Sequence, residues 1–528
     1  MTYRVEATAT ALGWTLTVTG AAGRAAAARQ LQRTAGADAY PLPDRAEAAR
    51  WAGQPHAIYC DDADGAAIGV ALRRILRNES SARESEAFGR YLLDTLLGPE
   101  WDAIEAATPA GDPIEIEISV APEDAALLRL PWEMMHDAGG ALAARTARKV
   151  VFTRLIPPVA GRSPGVAAQP VPLRILFVVG RQLDNSLRPG AEFFGLLRHL
   201  RVPTNATFKV FTTAAVSVRY LGEATVDELE HAVAEFQPSV VHFTCHGEAS
   251  AAGVQLLLTA REKENDPAAR KTQDPYPIGA GRLLSLLRRE GGVLPPVVVV
   301  NACHTGDAHD EAMSALSFAA HLVEGDAGGG VAMAIGMTGE VDDRACQAFT
   351  LRFYQALVAG APVAIAAAEG RRGAMLEYPE LQDSLEWIRP TFFRAAGAAD
   401  VLPLQQALLP IATIAAAFRK QATFCDIVCD RYDTLALAQD FLRLGAVPDG
   451  QRPLILPFAA RHPAGGLGHT RLLEEIAGLA VYAGYLPCLL RSSETSEPAA
   501  NLLELVLAIT DALRESIDAF RIVAPNKA

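Results

Sequence analysis

From Leu173 onward the chain alternates short apolar runs with amphipathic stretches. LRILFVVG (173–180), SVVHFT (239–244), VVVV (297–300) and GVAMAIG (330–336) are nearly continuous in apolar residues and read as strands. Between and after them, 226–236, 283–289, 315–323 and 344–358 repeat apolar residues at helical spacing. Strands without a polar face, separated by helices, belong to a parallel sheet covered on both sides. The pattern therefore predicts an α/β domain over 173–400, with a parallel-sheet sandwich flanked by helices.

The preceding stretch has a different rhythm. Tyr3–Thr8 and Trp14–Val18 alternate as two short strands, and the Ala- and Arg-rich stretch after them is expected to be helical. Helical periodicity runs through 64–106, carried by Ile68, Leu72, Ile75 and Leu76, then Phe88, Leu92, Leu93, Leu96 and Leu97. IEIEISV (114–120) has a clean period of two, and KVVFTRLIP (149–157) adds another strand. These elements form an N-terminal α/β half over 1–157. Residues 157–172 hold five prolines and two glycines. Such a segment fits neither sheet nor helix, so 158–172 is read as a linker. Ala260–Pro277 is polar and rich in breakers and is expected to be an exposed loop. The last block, 401–528, has strand patterns at Pro453–Ala460 and Tyr485–Leu490 around a helix at Arg471–Ala483. It is a small C-terminal α/β block.

Composition narrows the class of protein. A length of 528 residues fits about three domains. Half the residues are hydrophobic and 21% are charged, which supports a large buried core and excludes global disorder. The net charge of −13 argues against direct nucleic-acid binding, because phosphate neutralisation needs a basic surface. Seven scattered cysteines, Cys60, Cys245, Cys303, Cys346, Cys425, Cys429 and Cys488, do not make a disulfide framework. CxxxC at Cys425 and Cys429 reads as core packing in a helix. The N-terminus lacks the basic start and apolar run of a signal peptide, and no uninterrupted apolar run reaches about 18 residues. The expected setting is the reducing cytoplasm, with no membrane span.

Two strand ends carry the candidate chemistry. VVHFTCHGE places His246 and Gly247 just past one strand, and VVVVNACHTGD places Cys303 just past another. In open α/β sheets, ligands bind beyond the carboxyl ends of the strands. An imidazole and a thiol on one rim can perform acyl transfer: the thiolate attacks a carbonyl carbon and the imidazole manages the protons. The backbone N–H groups of Gly247 and Cys303 are the natural oxyanion donors. Successive strand residues face opposite ways, so Cys245 is expected in the core and His304 turned away from Cys303. His242 and His246 are spaced HxxxH, but no third ligand is evident and neither a metal nor a cofactor is expected.

The FTCHGE and VVVVNACHTGD segments resemble the two catalytic motifs of CHAT peptidases, which are caspase-like and separase-like cysteine proteases. LPWEMMHD (130–137) with its following strand, and GMTGEVDDRACQAFTLRFYQALVAGAPVAIAAAEGRRGA (336–374), resemble the flanking parts of that family. The likeness spans roughly residues 60–400. It implies a caspase-like fold with a non-catalytic half beginning near residue 60. It also implies an endopeptidase acting on a protein substrate, with Cys303 as nucleophile and His246 as base. The family's usual small residue after the cysteine is His304 here. Prokaryotic members act in antiviral defence beside CRISPR systems or gasdermin-like pore formers, which implies a regulatory protein partner acting through the terminal domains. A caspase-like pocket for acidic side chains would use Arg181. A separase-like pocket for basic ones would use Asp307, Asp342 or Asp343. The sequence leaves both open.

PLILPFAA-RHPAGGLGHT-RLLEEIAGLAVYAG (453–484) resembles the phosphate-binding loop of AAA or STAND ATPases, in degenerate form. Pro463 and His469 stand where the loop needs Gly and Lys, so a phosphate-facing N–H and the phosphate-reaching charge are both missing. A plain Gly-rich turn reads equally well. The alternative to a peptidase is therefore a catalytically silent scaffold, or a nucleotide-binding signalling protein that uses this block.

Overall fold

A computed structural model describes residues 1–402 apart from 21–27, 37–38, 122–125, 146, 160–172, 183–186, 201–209, 213–215, 251–252, 262–269, 304–316 and 378–383. The C-terminal block beyond residue 402, most of the linker, His304 and Asp307 lie outside the described residues.

The N-terminal half opens with β1 (Thr2–Ala9), β2 (Gly13–Thr19), β3 (Arg29–Arg33) and β4 (Pro41–Leu42). Helices α1 (Arg45–Ala48), α2 (Ala57–Cys60), α3 (Ala66–Leu76), α4 (Ala82–Leu96) and α5 (Pro99–Ala107) follow, then β5 (Ile114–Val120), β6 (His136–Asp137), β7 (Gly140–Ala141) and β8 (Val150–Ile156). Ser81 caps α4 by accepting the Glu84 N–H, and Pro99 begins α5 where its missing N–H costs nothing. One expectation fails here. Arg29–Arg33, assigned to a helix from its Ala- and Arg-rich surroundings, is a strand paired with β2, with Leu31 buried. Pairing to a preformed hairpin and burial of one alternate side chain outweigh local helix propensity.

The second half runs β9 (Leu173–Val179), α6 (Pro189–His199), β10 (Val210–Thr212), β11 (Val216–Leu221), α7 (Val226–Phe236) and β12 (Val240–Thr244). It continues with β13 (Gly247–Ser250), β14 (Gly253–Arg261), β15 (Lys271–Ile278), α8 (Ala280–Leu287), β16 (Val297–Asn301) and α9 (Phe318–Glu324). It closes with β17 (Met333–Met337), α10 (Asp343–Val358), α11 (Val363–Glu377) and β18 (Pro390–Ala395). A capping box between Thr225 and Glu228 starts α7.

Thirteen strands form one sheet, ordered β10-β11-β9-β12-β16-β17-β18-β8-β5-β1-β2-β3-β4. The centre is mostly parallel. β17 and β18 pair antiparallel, and β18 then runs parallel to β8, so strands from both sides of the linker share the same sheet. Helix α6 packs on α10 and α10 on α11, while α7 packs on α8 and α8 on α9. Right-handed crossovers put these two sets on opposite faces, because the chain steps one way from β9 to β11 and the other way from β11 through β12 and β16 to β17. The expected parallel-sheet sandwich flanked by helices is the fold observed.

A second expectation is corrected at 260–277. Lys271–Ile278 is a strand of a separate antiparallel sheet, β13-β14-β15. Pro275 and Pro277 sit opposite Thr259 and Leu257. Two positions apart on an edge strand, both can turn the missing N–H outward, where no ladder bond is lost.

A buried charge cluster joins the two halves. Arg154 on β8 makes a two-pronged bond to Glu133, at 2.6 and 2.9 Å, and also donates to the Leu128 and Leu130 carbonyls. Arg371 on α11 approaches the same carboxylate at 3.5 Å and donates to the Pro390 carbonyl. Burial alone would raise the Glu133 pKa, but the two guanidiniums overcome it and hold the carboxyl below its ordinary value. Glu133→Ala would strand two buried guanidiniums. The expected loss is about 3–5 kcal/mol, read as a lower urea midpoint at unchanged slope; a loss under about 1 kcal/mol would contradict this role.

Candidate functional site

Parallel pairing of β12 with β16 sets the site. Val240 lies opposite Val297, and the register ends with Thr244 opposite Asn301. The two strands are direct neighbours, and the Cys245 N–H donates to the Asn301 carbonyl at 3.3 Å. His246 and Cys303 each lie two residues beyond that last matched pair. Both residues are half-buried, and the His246 Nε2 atom is itself buried.

Gly247 brings the two chain ends into contact. A Cβ built there would lie 2.2 Å from the Cys303 carbonyl oxygen and within 3.4 Å of its nitrogen. Only a hydrogen fits. The reason for glycine is this close approach of two backbones and not a special φ, since Gly247 is absent from the positive-φ residues. The Leu257 N–H donates to the His246 carbonyl at 3.1 Å, and Gly247 is opposite Leu256. In an antiparallel ladder bonded and non-bonded pairs alternate, so the Gly247 N–H points away from β14. It therefore makes no ladder bond to that strand.

Cys245 is core, as alternation predicts. It is 2% exposed, and a Cβ on Gly180 would lie 2.5 Å from the Cys245 Cβ. Burial drives its thiol far above the ordinary range.

The surroundings of Cys303 disfavour its thiolate. Burial pushes its pKa up, the Val341 N–H favours the anion, and the carboxylates of Glu340 and Glu386 push it up again. The segment facing the sulfur is therefore Glu340–Val341–Asp342, between β17 and α10. The N-terminal half holds that segment in place. The Glu340 N–H donates to the Leu76 carbonyl at 3.2 Å, and a Cβ on Gly339 (φ +73°) would lie 2.4 Å from the same oxygen. Asn78 donates to Glu386, whose other oxygen accepts the Asp342 N–H at 2.9 Å. Glu386 is 4% exposed, and burial raises its pKa.

The pocket candidates are dispersed. Arg181 lies just past β9 and pairs with Glu223 at 3.0 Å. Asp342 caps α10 by accepting the Arg344 N–H. Asp343 accepts the Arg188 N–H at 3.2 Å and bonds Gln347, and burial raises its pKa. Glu386 and Glu340 escaped sequence reasoning: Glu386 is far from either strand-end motif in the chain, and Glu340, though inside the 336–374 segment, carries no signal that it acts on the sulfur. A concavity of about 920 Å³ elsewhere is lined by Glu105, Ala144, Arg145 and Arg148, and no residue of the candidate pair borders it.

A family model for the CHAT domain matches residues 86–397. Among solved structures the chain is similar to the Arg-specific cysteine proteinase gingipain R (RGPB). The identity is 10%, 63% of this chain and 74% of that chain are covered, and the TM-score is 0.35. No curated protein matches this chain.

Two outcomes test the geometry. Gly247→Ala forces the 246–247 segment off Cys303. Alkylation of Cys303 by a peptide-based electrophile should slow at least tenfold, which is about 1.4 kcal/mol, while the protein stays folded. A rate within twofold of the parent would contradict the close approach. Separately, iodoacetamide labelling of Cys303 should rise with pH through an inflection above the ordinary thiol value of about 8.5. A thiol with a raised pKa is neutral below that point and becomes reactive only above it. An inflection below pH 8 would show a preformed thiolate.

Proposed function

The chain belongs to the CHAT-domain family, and on that premise we propose that it is a caspase-like cysteine endopeptidase acting through Cys303 and His246. The observation that carries this reading is the side-by-side end of β12 and β16, with Gly247 seated on the Cys303 backbone. His246 takes the thiol proton as the sulfur bonds to the substrate carbonyl carbon. The oxygen becomes negative between the N–H groups of Gly247 and Cys303. As the oxyanion collapses, the C–N bond breaks and the imidazolium gives its proton to the leaving amine. His246 then deprotonates a water whose oxygen bonds to the thioester carbon, the C–S bond breaks, and the imidazolium returns its proton to the sulfur. Surroundings that disfavour the thiolate call for a base to take the thiol proton.

The charges around Cys303 favour a basic side chain at the residue whose carbonyl is attacked. Glu340 and Glu386 act on the sulfur, and the Asp342 N–H bonds Glu386. The guanidinium of Arg181 is already balanced by Glu223. The separase-like alternative is thus preferred over the caspase-like one.

The family resemblance supports a regulated effector in prokaryotic antiviral defence, CRISPR- or gasdermin-associated, with a protein partner acting through the terminal domains. A cytoplasmic setting belongs to the same proposal. Among the described residues no helix is long and apolar enough to cross a membrane.

Cys303→Ala and His246→Ala should each abolish cleavage across a proteome-derived peptide library, while the parent cuts after Arg or Lys. Retained cleavage in Cys303→Ala would sink the reading, and cleavage after Asp would reverse the pocket assignment.

A further inference from the structure

Among the buried charges without a part in the acyl-transfer steps, one lies beside the strand ends that carry the pair. Glu192, on α6, is 1% exposed and sits against the sheet below the strand ends. Its Oε1 accepts from Asn301 Nδ2 at 2.7 Å, from Thr350 Oγ1 at 2.5 Å and from His242 Nε2 at 3.1 Å. Its Oε2 accepts from Thr244 Oγ1 at 2.9 Å. Donors thus come from β12, β16 and α10. His242 is fixed in turn by Tyr354 at 3.2 Å and by stacking on Phe177 at 4.7 Å.

The placement of these partners carries the argument. Thr244 is two residues before His246, and Asn301 is two residues before Cys303. Thr244 and Asn301 are also the last matched pair of the β12–β16 register. One carboxylate therefore holds the terminal position of each strand that leads to a reactive side chain, and anchors both to α6 and α10. Cys346 on α10 is in electrostatic reach of both Glu192 and Cys303, so the network and the sulfur share a neighbourhood. Desolvation would raise the Glu192 pKa, but the bonds from His242, Thr350 and Thr244 lower it below the ordinary value, so an anion is what the cage accommodates.

We propose that Glu192 is a positioning residue, whose carboxylate, held between Thr244 and Asn301, fixes the offset of the strand ends that bear His246 and Cys303. This rests on the peptidase reading above. A neutral amide at 192 cannot accept from four donors at once, because one of its two polar atoms is itself a donor. The strand ends would then drift relative to each other, and reactions that need both groups aligned are sensitive to shifts on the order of 1 Å.

The test uses the full chain and two probes of Cys303. A peptidyl acyloxymethyl ketone needs the aligned pair, whereas iodoacetamide at pH 10 needs only the ionised sulfur. In Glu192→Gln and Thr244→Val, inactivation by the ketone should slow about tenfold to a hundredfold at saturation, with half-saturation unchanged. Iodoacetamide labelling should stay within about twofold of the parent. Thr244→Ser, which keeps the hydroxyl, should retain the parent rate, and Glu192→Gln/Thr244→Val should be no slower than the slower single variant. Parent-like ketone rates in Thr244→Val, equal loss in Thr244→Ser, or fully additive losses would each overturn the positioning role while leaving the peptidase reading intact. Should Glu192→Gln fail to fold, the Thr244 pair still decides. A parent protein that the ketone never labels at Cys303 overturns the peptidase reading and this inference together.

Discussion

Every feature of the site depends on the in-register parallel pairing of Val240–Thr244 with Val297–Asn301. Parallel strands present their carboxyl ends on the same edge, so two such neighbours deliver two loops to one place without any further device. Apolar packing alone does not fix where along that edge each loop departs, because valine on valine packs almost as well after a slide. What fixes it are polar contacts with one solution. The Cys245 N–H bonds the Asn301 carbonyl, Gly247 fits only where the Cys303 backbone passes, and Glu192 takes donors from both strands.

Much of this was legible in the residues. Continuous apolar runs gave the central strands to within a few positions, and alternation assigned Cys245 to the core, where it is found. The motif points to Gly247 for its N–H, whereas the backbone contact with Cys303 that requires a glycine there is visible only in the fold. The misreadings share a cause. Arg29–Arg33 and Lys271–Ile278 have little local strand signal and are strands because a partner edge is there to pair with. Such pairing is long-range information that a window of sequence does not carry. Asp307, His304 and the degenerate phosphate-loop block fall outside the described residues.

The buried acids were the more costly omission, and they left a trace. In α6 the buried stripe is Glu192, Phe193, Leu196 and Leu197, so the carboxylate occupies a core position of an otherwise apolar face. Glu133 is likewise set between Trp132 and Met134, all fully buried. His242 interrupts the apolar run of β12. A charged residue at a core-phased position is either unstable or matched by partners elsewhere in the chain. Sequence shows the mismatch, and only the fold shows the match: Arg154 and Arg371 for Glu133, and four uncharged or imidazole donors for Glu192. Apolar replacements of equal volume would serve stability as well or better, so what such charges supply here is a defined relative position of the elements they join.

That argument extends to the N-terminal half. Its strands complete the sheet through β8 and β18, and Glu133 joins it to α11 by way of Arg371. Its helix α3 ends against the segment that faces Cys303. Leu76 and Asn78 receive or supply the bonds that hold Glu340, Leu385 and Glu386, and Arg389 donates to the Ile75 carbonyl at 3.0 Å and to the Thr338 carbonyl at 3.3 Å. The Val341 N–H that favours the Cys303 anion, and the two carboxylates that oppose it, therefore take their positions from residues before the linker. A half that contributes neither member of the pair still sets the electrostatics at the sulfur. The two halves share one sheet, and the segment that faces the sulfur is held by the end of α3.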